Sequence, residues 1–373
     1  MSYHILIIED DKAMIKSLKL TIRERLGPVR LSSSGFSNAK DKVASLRPDA
    51  VVMDMFEDTL QSTVKAEATW DYIWDVHFCP VVVHSAREEP DFLKGKHHPF
   101  AHYEPKGKDS QERVANRLKL FCAHIDCLRV FGDEVTQRAS ESLRHVSALI
   151  WKETTNDNER KDILVRVTRR RLAASLDSPA HGAKALKALE QFIYPPLEAS
   201  LLTGDILQVI AANQKQAKSY RVVLTPSCDL VVADDRFPVE DVLVACCIPV
   251  TDAEIVRRCN LREAKPKDLP QKLGRKLRED SRIDMVVLPA LQGVWPAMVL
   301  DLKRLEIIQR SKIALNSPRN VDALHVRVAS MDSPFRERLA WRYITTCGRP
   351  GLPEMDQEAL EKDVTAAADE RKE

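Results

Sequence analysis

Three apolar runs that each end in polar residues constrain this chain most. They are Ile5-Leu6-Ile7-Ile8 before Glu9-Asp10-Asp11, Val51-Val52-Met53 before Asp54, and Val81-Val82-Val83 before His84-Ser85. A parallel strand covered on both faces reads as a near-continuous run of this kind. In an open α/β sheet the ligand crevice lies beyond the carboxyl ends of the strands. The three runs therefore bring Glu9, Asp10, Asp54 and Ser85 to one sheet edge. Two or three carboxylates and a hydroxyl at that edge suit a hard cation such as Mg²⁺ and a phosphoryl group.

The intervening segments read as helices, as a doubly wound sheet requires. Met14, Ile15, Leu18, Ile22 and Leu26 recur at helical spacing, and Gly27-Pro28 stops that helix. Ser37 caps a second helix that ends before Pro48. A last helix begins near Asp109-Ser110, with Glu112 placed for a capping box and Val114, Leu118, Phe121 and Ile125 as its core stripe.

With these residues in place, residues 1–125 resemble the receiver domain of bacterial two-component response regulators, a flavodoxin-like, doubly wound, five-stranded parallel sheet. Glu9 and Asp10 match the family's acidic pair, Asp54 its phospho-accepting aspartate, Ser85 its switch hydroxyl, Lys106 its lysine and Tyr103 its switch aromatic. The spacings fit: 44 residues from Asp10 to Asp54, 31 from Asp54 to Ser85, and 21 from Ser85 to Lys106. Two departures stand out. Met55-Phe56-Glu57-Asp58-Thr59-Leu60 lacks the family's proline and glycine after the acceptor, and Pro105 precedes Lys106 instead of following it.

The resemblance implies a division of labour. Asp54, Asp10 and the backbone carbonyl of Phe56 would ligate Mg²⁺, with Glu9 reaching it directly or through water. The metal offsets the repulsion between carboxylate and phosphate. Lys106 would neutralise a phosphoryl oxygen as a point charge. Ser85 would donate to another such oxygen after Asp54 is modified, and Tyr103 would follow by changing rotamer. A sensor histidine kinase is the partner that this implies.

Composition sets outer limits. A chain of 373 residues suits two or three domains, and 44% hydrophobic with 30% charged residues is an ordinary balance. A net charge of +2 makes no global case for nucleic acid, so no such partner is expected. The eight cysteines form no C-x-x-C pair, which points to reduced thiols in a cytoplasmic protein and away from zinc. No signal peptide and no apolar stretch of about 20 residues is visible, so no membrane span is expected.

Residues 126–195 read as a helical linker or dimerisation region, with helices over 135–151, 162–176 and 183–194. Homodimerisation and simple connection are both open for it. Arg166, Arg169, Arg170 and Arg171 read as a solvated face. Residues 196–350 read as a mixed, β-rich domain with strands over 204–209, 220–224, 241–247, 284–288 and 295–300, a charged helical insertion at 251–278, and a helix from Ser333 to Tyr343 opened by Pro334. Residues 351–373 are a charged tail.

In this second domain Thr225-Pro226-Ser227-Cys228-Asp229-Leu230 is the sharpest motif. Cys228 and Asp229 invite a nucleophile reading, against a plain turn with Asp229 bonding backbone amides and Cys228 buried. No helix-turn-helix, P-loop, cyclase or kinase motif is present. The resulting expectation is a phosphoryl-accepting signalling protein without a DNA-binding output, in one version a phosphate sink; the layout of a receiver plus an unfamiliar C-terminal domain resembles receiver proteins of bacterial anti-phage two-component systems, which implies that setting. A receiver-gated hydrolase or nuclease-like enzyme using residues 225–230 and a DNA-binding regulator are the alternatives.

Overall fold

The structure, a computed structural model, describes residues 2–55, 64–89, 93, 98–177, 186–197, 199–231, 239–265, 267–278, 283–315, 322–348, 358–359, 361–362 and 365. Contacts divide the chain into two units, residues 1–181 and 182–373. No helix among the described residues is long and apolar enough to cross a membrane.

The first unit is built on a five-stranded sheet of β1 (His4–Ile8), β2 (Arg30–Ser34), β3 (Ala50–Met53), β4 (Val81–Ser85) and β5 (Ala101–Pro105). Its order is β2-β1-β3-β4-β5 and every neighbouring pair is parallel, the doubly wound arrangement that the apolar runs predict. Successive side chains of a strand alternate between faces. Ile5, Ile7, Val52 and Val82 pack with α1 (Lys12–Leu26) and with the start of α4 (Ser110–Glu153). Leu6, Ile8, Val51, Met53, Val81 and Val83 pack on the other face with α2 (Ala39–Leu46) and α3 (Val64–Asp75). At about 1.5–3 kcal/mol for each large apolar side chain removed from water, this double burial holds the strand ends in place.

Local chemistry explains several boundaries. Asp11 caps α1 by accepting from the Ala13 amide at 2.7 Å, and Gly27 ends it at φ +77°. The capping box expected at Asp109 and Glu112 does not form. Asp109 sits at φ +59° with no side-chain cap bond, and Glu112 pairs with Arg25 at 2.8 Å instead. No helix joins β4 to β5 among the described residues of that stretch, whose His98 and Phe100 pack edge to face against Phe78 before β4, and whose Phe100 does so against His124 of α4.

The helix expected to end near residue 125 and the one expected over 135–151 are one helix, α4, so the expected boundary at 125/126 falls inside it. Only Thr154–Asn156 separates α4 from α5 (Asp157–Asp177), which extends the expected 162–176 segment at both ends. The helix expected over 183–194 is absent from the described residues 186–194. They form a single 3-10 turn and the short strand β6 (Phe192–Ile193), because Phe192 buries against the next sheet.

The second unit holds an eight-stranded sheet ordered β10-β11-β9-β8-β7-β13-β12, with β6 paired to β13. The strands are β7 (Asp205–Val209), β8 (Tyr220–Val223), β9 (Asp241–Pro249), β10 (Met285–Leu288), β11 (Met298–Gln309), β12 (Ile313–Ala314) and β13 (His325–Met331). All pairings are antiparallel except β12 with β13. The strand expected over 295–300 begins at Met298 and runs to Gln309, bulging between Asp301 and Leu305. The insertion carries α7 (Ala253–Arg258) and α8 (Leu269–Arg278). α9 (Phe335–Cys347) follows Pro334, which stands at its N-cap, and buries Leu339 in the core.

Candidate functional site

Beyond the carboxyl ends of β1, β3 and β5, three ionisable side chains meet. Lys106 Nζ lies 2.5 Å from Asp54 Oδ2 and 2.7 Å from Glu9 Oε2. Asp54 is 5% exposed and Glu9 4%, so the ammonium is held by two carboxylates largely screened from water. The backbone sets this up. The Asp54 amide donates to the Ile8 carbonyl at 2.9 Å, and the Lys106 amide donates to the Ser85 carbonyl at 2.8 Å. Glu9 Oε1 accepts from the amides of Asp10 and Asp11, each at 3.2 Å, and Asp54 Oδ1 from the Met55 amide at 2.6 Å.

Burial raises the Glu9 carboxyl above its ordinary value, and Lys106 offsets only part of that rise. Burial lowers the Lys106 ammonium, but its bonds to Asp54 and Glu9 outweigh the cost and raise it overall. A charge in such a place is tolerated only when paired.

Ser85 stands at the end of β4, 1% exposed, and its Oγ has no hydrogen-bond partner among the described residues. A buried hydroxyl without a partner is uncommon and calls for a reason. The strand residue before it, His84, is also buried; its Nε2 lies 2.9 Å from Ser110 Oγ at the start of α4, and its Nδ1 is unpartnered. Burial, aided by the Lys106 charge, pushes the His84 imidazole down to about 4, so it is neutral. The sequence reading passed over His84, whose only signal was a polar residue inside an apolar run.

Asp10 is exposed at the rim, and Gly35 leaves it room, since a Cβ there would meet Asp10 Oδ1 at 3.0 Å. Tyr103, half-buried on β5, donates its hydroxyl to the Arg87 carbonyl in the loop after Ser85. Phe56, expected to offer a carbonyl to a metal, lies outside the described residues. Among the described residues no three His, Cys, Asp or Glu side chains form a ready metal cage, and Lys106 occupies the space between Asp54 and Glu9.

The second expected site comes together differently. Thr225 Oγ1 accepts from the Leu243 amide at 2.7 Å, and Ser227 Oγ bonds both the amide and the hydroxyl of Thr203 at 3.1 and 3.2 Å. Cys228 is exposed rather than buried, because Ser227–Leu230 form a short helical turn (α6) that turns Leu230 inward instead. Its thiol donates to Asp229 Oδ1 at 3.4 Å. A cavity of about 570 Å³ opens beside this turn, lined by Thr203, Thr225, Ser227, Arg336 and Tyr343 among others. Cys228 and Asp229 do not line it.

No protein-family model and no curated protein matches the chain. Among solved structures it is similar to a signal receiver domain from Vibrio parahaemolyticus (14% identity, 35% of this chain and 98% of that one, TM-score 0.29). It is also similar to the phosphorylated cyanobacterial phytochrome response regulator RcpA (16% identity, 32% and 94%, TM-score 0.26). A de novo designed Rossmann 2x3 fold protein is similar to the same degree (15% identity, 33% and 91%, TM-score 0.26). The fold of residues 1–125 stands on its own strand order and burial: a flavodoxin-like, doubly wound five-stranded parallel sheet.

Proposed function

We propose that Asp54 accepts a phosphoryl group from a phosphohistidine of a sensor histidine kinase, and that the protein signals by that event. One observation carries the reading. Asp54, Glu9 and Lys106 converge from three strand ends beside a buried Ser85 hydroxyl that has no partner. In this reading a carboxylate oxygen of Asp54 attacks phosphorus, the P–N bond breaks, and the leaving imidazole takes up a proton. Lys106 stabilises the negative oxygens at that centre and holds Asp54 in position. Ser85 Oγ gains the acceptor it lacks when a phosphoryl oxygen arrives, which draws the loop after β4 inward. Tyr103 reports the same movement, because its hydroxyl is tied to the Arg87 carbonyl in that loop.

Asp54 and Asp10, with Glu9 through water, are the residues that would hold Mg²⁺. The ion keeps several waters and needs only one or two carboxylates, so the absence of a three-residue cage does not conflict with it. When bound, Mg²⁺ neutralises charge between carboxylate and phosphate. Of the finer expectations, the phosphoryl sink rests on the absence of output motifs from the sequence, and the anti-phage setting on a resemblance of layout, a receiver followed by an unfamiliar C-terminal domain.

Intact mass after incubation with Mg²⁺ and acetyl phosphate tests the reading. The wild type gains one phosphoryl group and Asp54→Ala gains none. Equal gain in both, or none in the wild type with acetyl phosphate or a panel of histidine kinases, removes it.

A further inference from the structure

Buried side-chain polar atoms without a partner are few among the described residues. Two of them, His84 Nδ1 and Ser85 Oγ, belong to consecutive residues at the end of β4. Each forgoes a bond that water would supply, so two in a row mark a strand end ready to exchange partners. Consecutive side chains of a strand point to opposite faces. His84 therefore shares the face of Val82, which packs with Val114 and Ala115 of α4, and Ser85 takes the other face.

On the α4 side one polar contact holds this strand end. His84 Nε2 lies 2.9 Å from Ser110 Oγ, both residues are buried, and among the described residues this is the only hydrogen bond between β4 and α4. Ser110 is the first residue of α4, and the chain before it adds little. Asp109 is left-handed and makes no side-chain cap bond, and the Ser110 and Arg113 amides reach the Gly107 and Asp109 carbonyls at 3.2 and 3.3 Å. Arg113, an exposed side chain, ties the same turn to Glu104 of β5 at 2.6 Å. Farther along, α4 is pinned at two points. Asp126 accepts from the Tyr3 hydroxyl at 3.0 Å, and Arg129 Nε donates to Asp49 at 2.6 Å. Tyr3 and Asp49 stand just before β1 and β3, so these pins lie at the amino ends of the strands, whereas His84 holds α4 at their carboxyl ends.

We infer that His84 is a positioning residue through which phosphorylation of Asp54 releases the start of α4, an inference that rests on the phosphoryl reading. Ser85, drawn to a phosphoryl oxygen, moves towards its own face and takes the shared backbone with it. His84 then withdraws from Ser110, and the first turn of α4 loses its buried bond to β4 while the pins at Asp126 and Arg129 stay. α4 runs unbroken from Ser110 to Glu153, roughly 65 Å at the rise of an α-helix. A start freed against a pinned middle lets such a rod tilt, which carries the event past the end of the sheet.

Hydrogen exchange of the full chain with Mg²⁺, with and without acetyl phosphate, and intact mass read on the same samples test this. In the wild type, phosphorylation is expected to speed exchange of residues 111–116 about fivefold, the worth of one ordinary hydrogen bond, and to leave residues 126–132 unchanged. His84→Leu and Ser110→Ala are each expected to gain the phosphoryl group, to exchange residues 111–116 at the fast rate without it, and to show no further change with it. His84→Gln, which can still bond Ser110, keeps the wild-type response. A purely structural role for His84 would instead shift both states of the protein equally. No mass gain in the wild type removes the phosphoryl reading and this inference with it. A mass gain with unchanged exchange at residues 111–116 overturns the inference alone, as does a response that persists in His84→Leu or Ser110→Ala. The two variants cut the bond from its two sides, so a folding defect in one leaves the other decisive.

Discussion

Asp54 and Cys228 each follow a buried apolar strand, β3 and β8, and each lies beside another polar side chain. Their surroundings differ in one physical respect. Around Asp54 the neighbours arrive from elsewhere in the chain: Glu9 from β1, Lys106 from the end of β5, and Ser85 nearby at the end of β4. Around Cys228 the neighbour is Asp229, the next residue, and both face solvent. Convergence of distant residues into a water-poor place concentrates charge and strengthens each interaction. A pair of adjacent residues on an exposed turn is screened and free to move. The first arrangement suits chemistry on an anion, and the second is ordinary turn chemistry.

The contrast can be broken most directly by deleting one side chain from each place. Lys106→Met leaves two buried carboxylates without their cation, so urea unfolding at neutral pH should show a loss of about 3 kcal/mol. Cys228→Ala should stay within about 0.5 kcal/mol of wild type, as exposed substitutions do. Comparable losses at both positions would erase the distinction.

A similar loss is expected in acid, traceable to His84. Its folded pKa, about 4, lies below its unfolded value of 6.5, so the unfolded chain binds the proton more tightly. The stability tied to the neutral ring is complete above pH 6.5 and is lost as pH falls through 6.5 towards about 4, roughly 3 kcal/mol in all. His84→Gln keeps a partner for Ser110 and should flatten the stability profile across that window. Superimposable profiles would show that the acid response belongs to other groups.

Glu9 should show a smaller effect of opposite sign. Its folded pKa lies above the unfolded value of 4.5, so the folded state favours the protonated form and stability falls as pH rises past 4.5. In metal-free protein, Glu9→Gln should therefore be more stable than wild type at pH 7 and indistinguishable from it below pH 4. Added Mg²⁺ should narrow the gap by stabilising the wild type more, since binding to the folded state alone raises stability. If Glu9→Gln is the less stable protein at pH 7, the ionised Glu9 is held by more than its bond to Lys106.

Much of the first unit was legible because a strand buried on both faces leaves few residue choices. The runs at residues 5–8, 51–53 and 81–83 are buried throughout, and the polar residues after them mark where the sheet stops, at Glu9 and Asp54 directly and two residues on, at Ser85, for the third. The second unit resisted for the converse reason. β13, His-Val-Arg-Val-Ala-Ser-Met, went unrecognised because Arg327 interrupts its apolar pattern. That arginine is fully buried and bonds Asp205 at 3.3 Å, a partner 122 residues away that no local pattern announces. Arg258, held between Asp284 at 2.6 Å and Asp301 at 2.8 Å, was hidden in the same way. The capping box at Asp109 failed because a side-chain motif is only an offer, and the backbone there took a left-handed conformation instead.

The sequence by itself determined which strands would be buried and which side chains would stand at their ends, since hydrophobic runs and residue spacing are local properties. Only the tertiary structure decided that Lys106 joins Asp54 to Glu9, that Ser85 is left without a partner, that α4 runs unbroken past residue 125, and that Cys228 turns to solvent. These outcomes depend on distances between residues far apart in the chain and on which of several competing partners each polar group meets first in space. Neither quantity is written in any window of neighbouring residues.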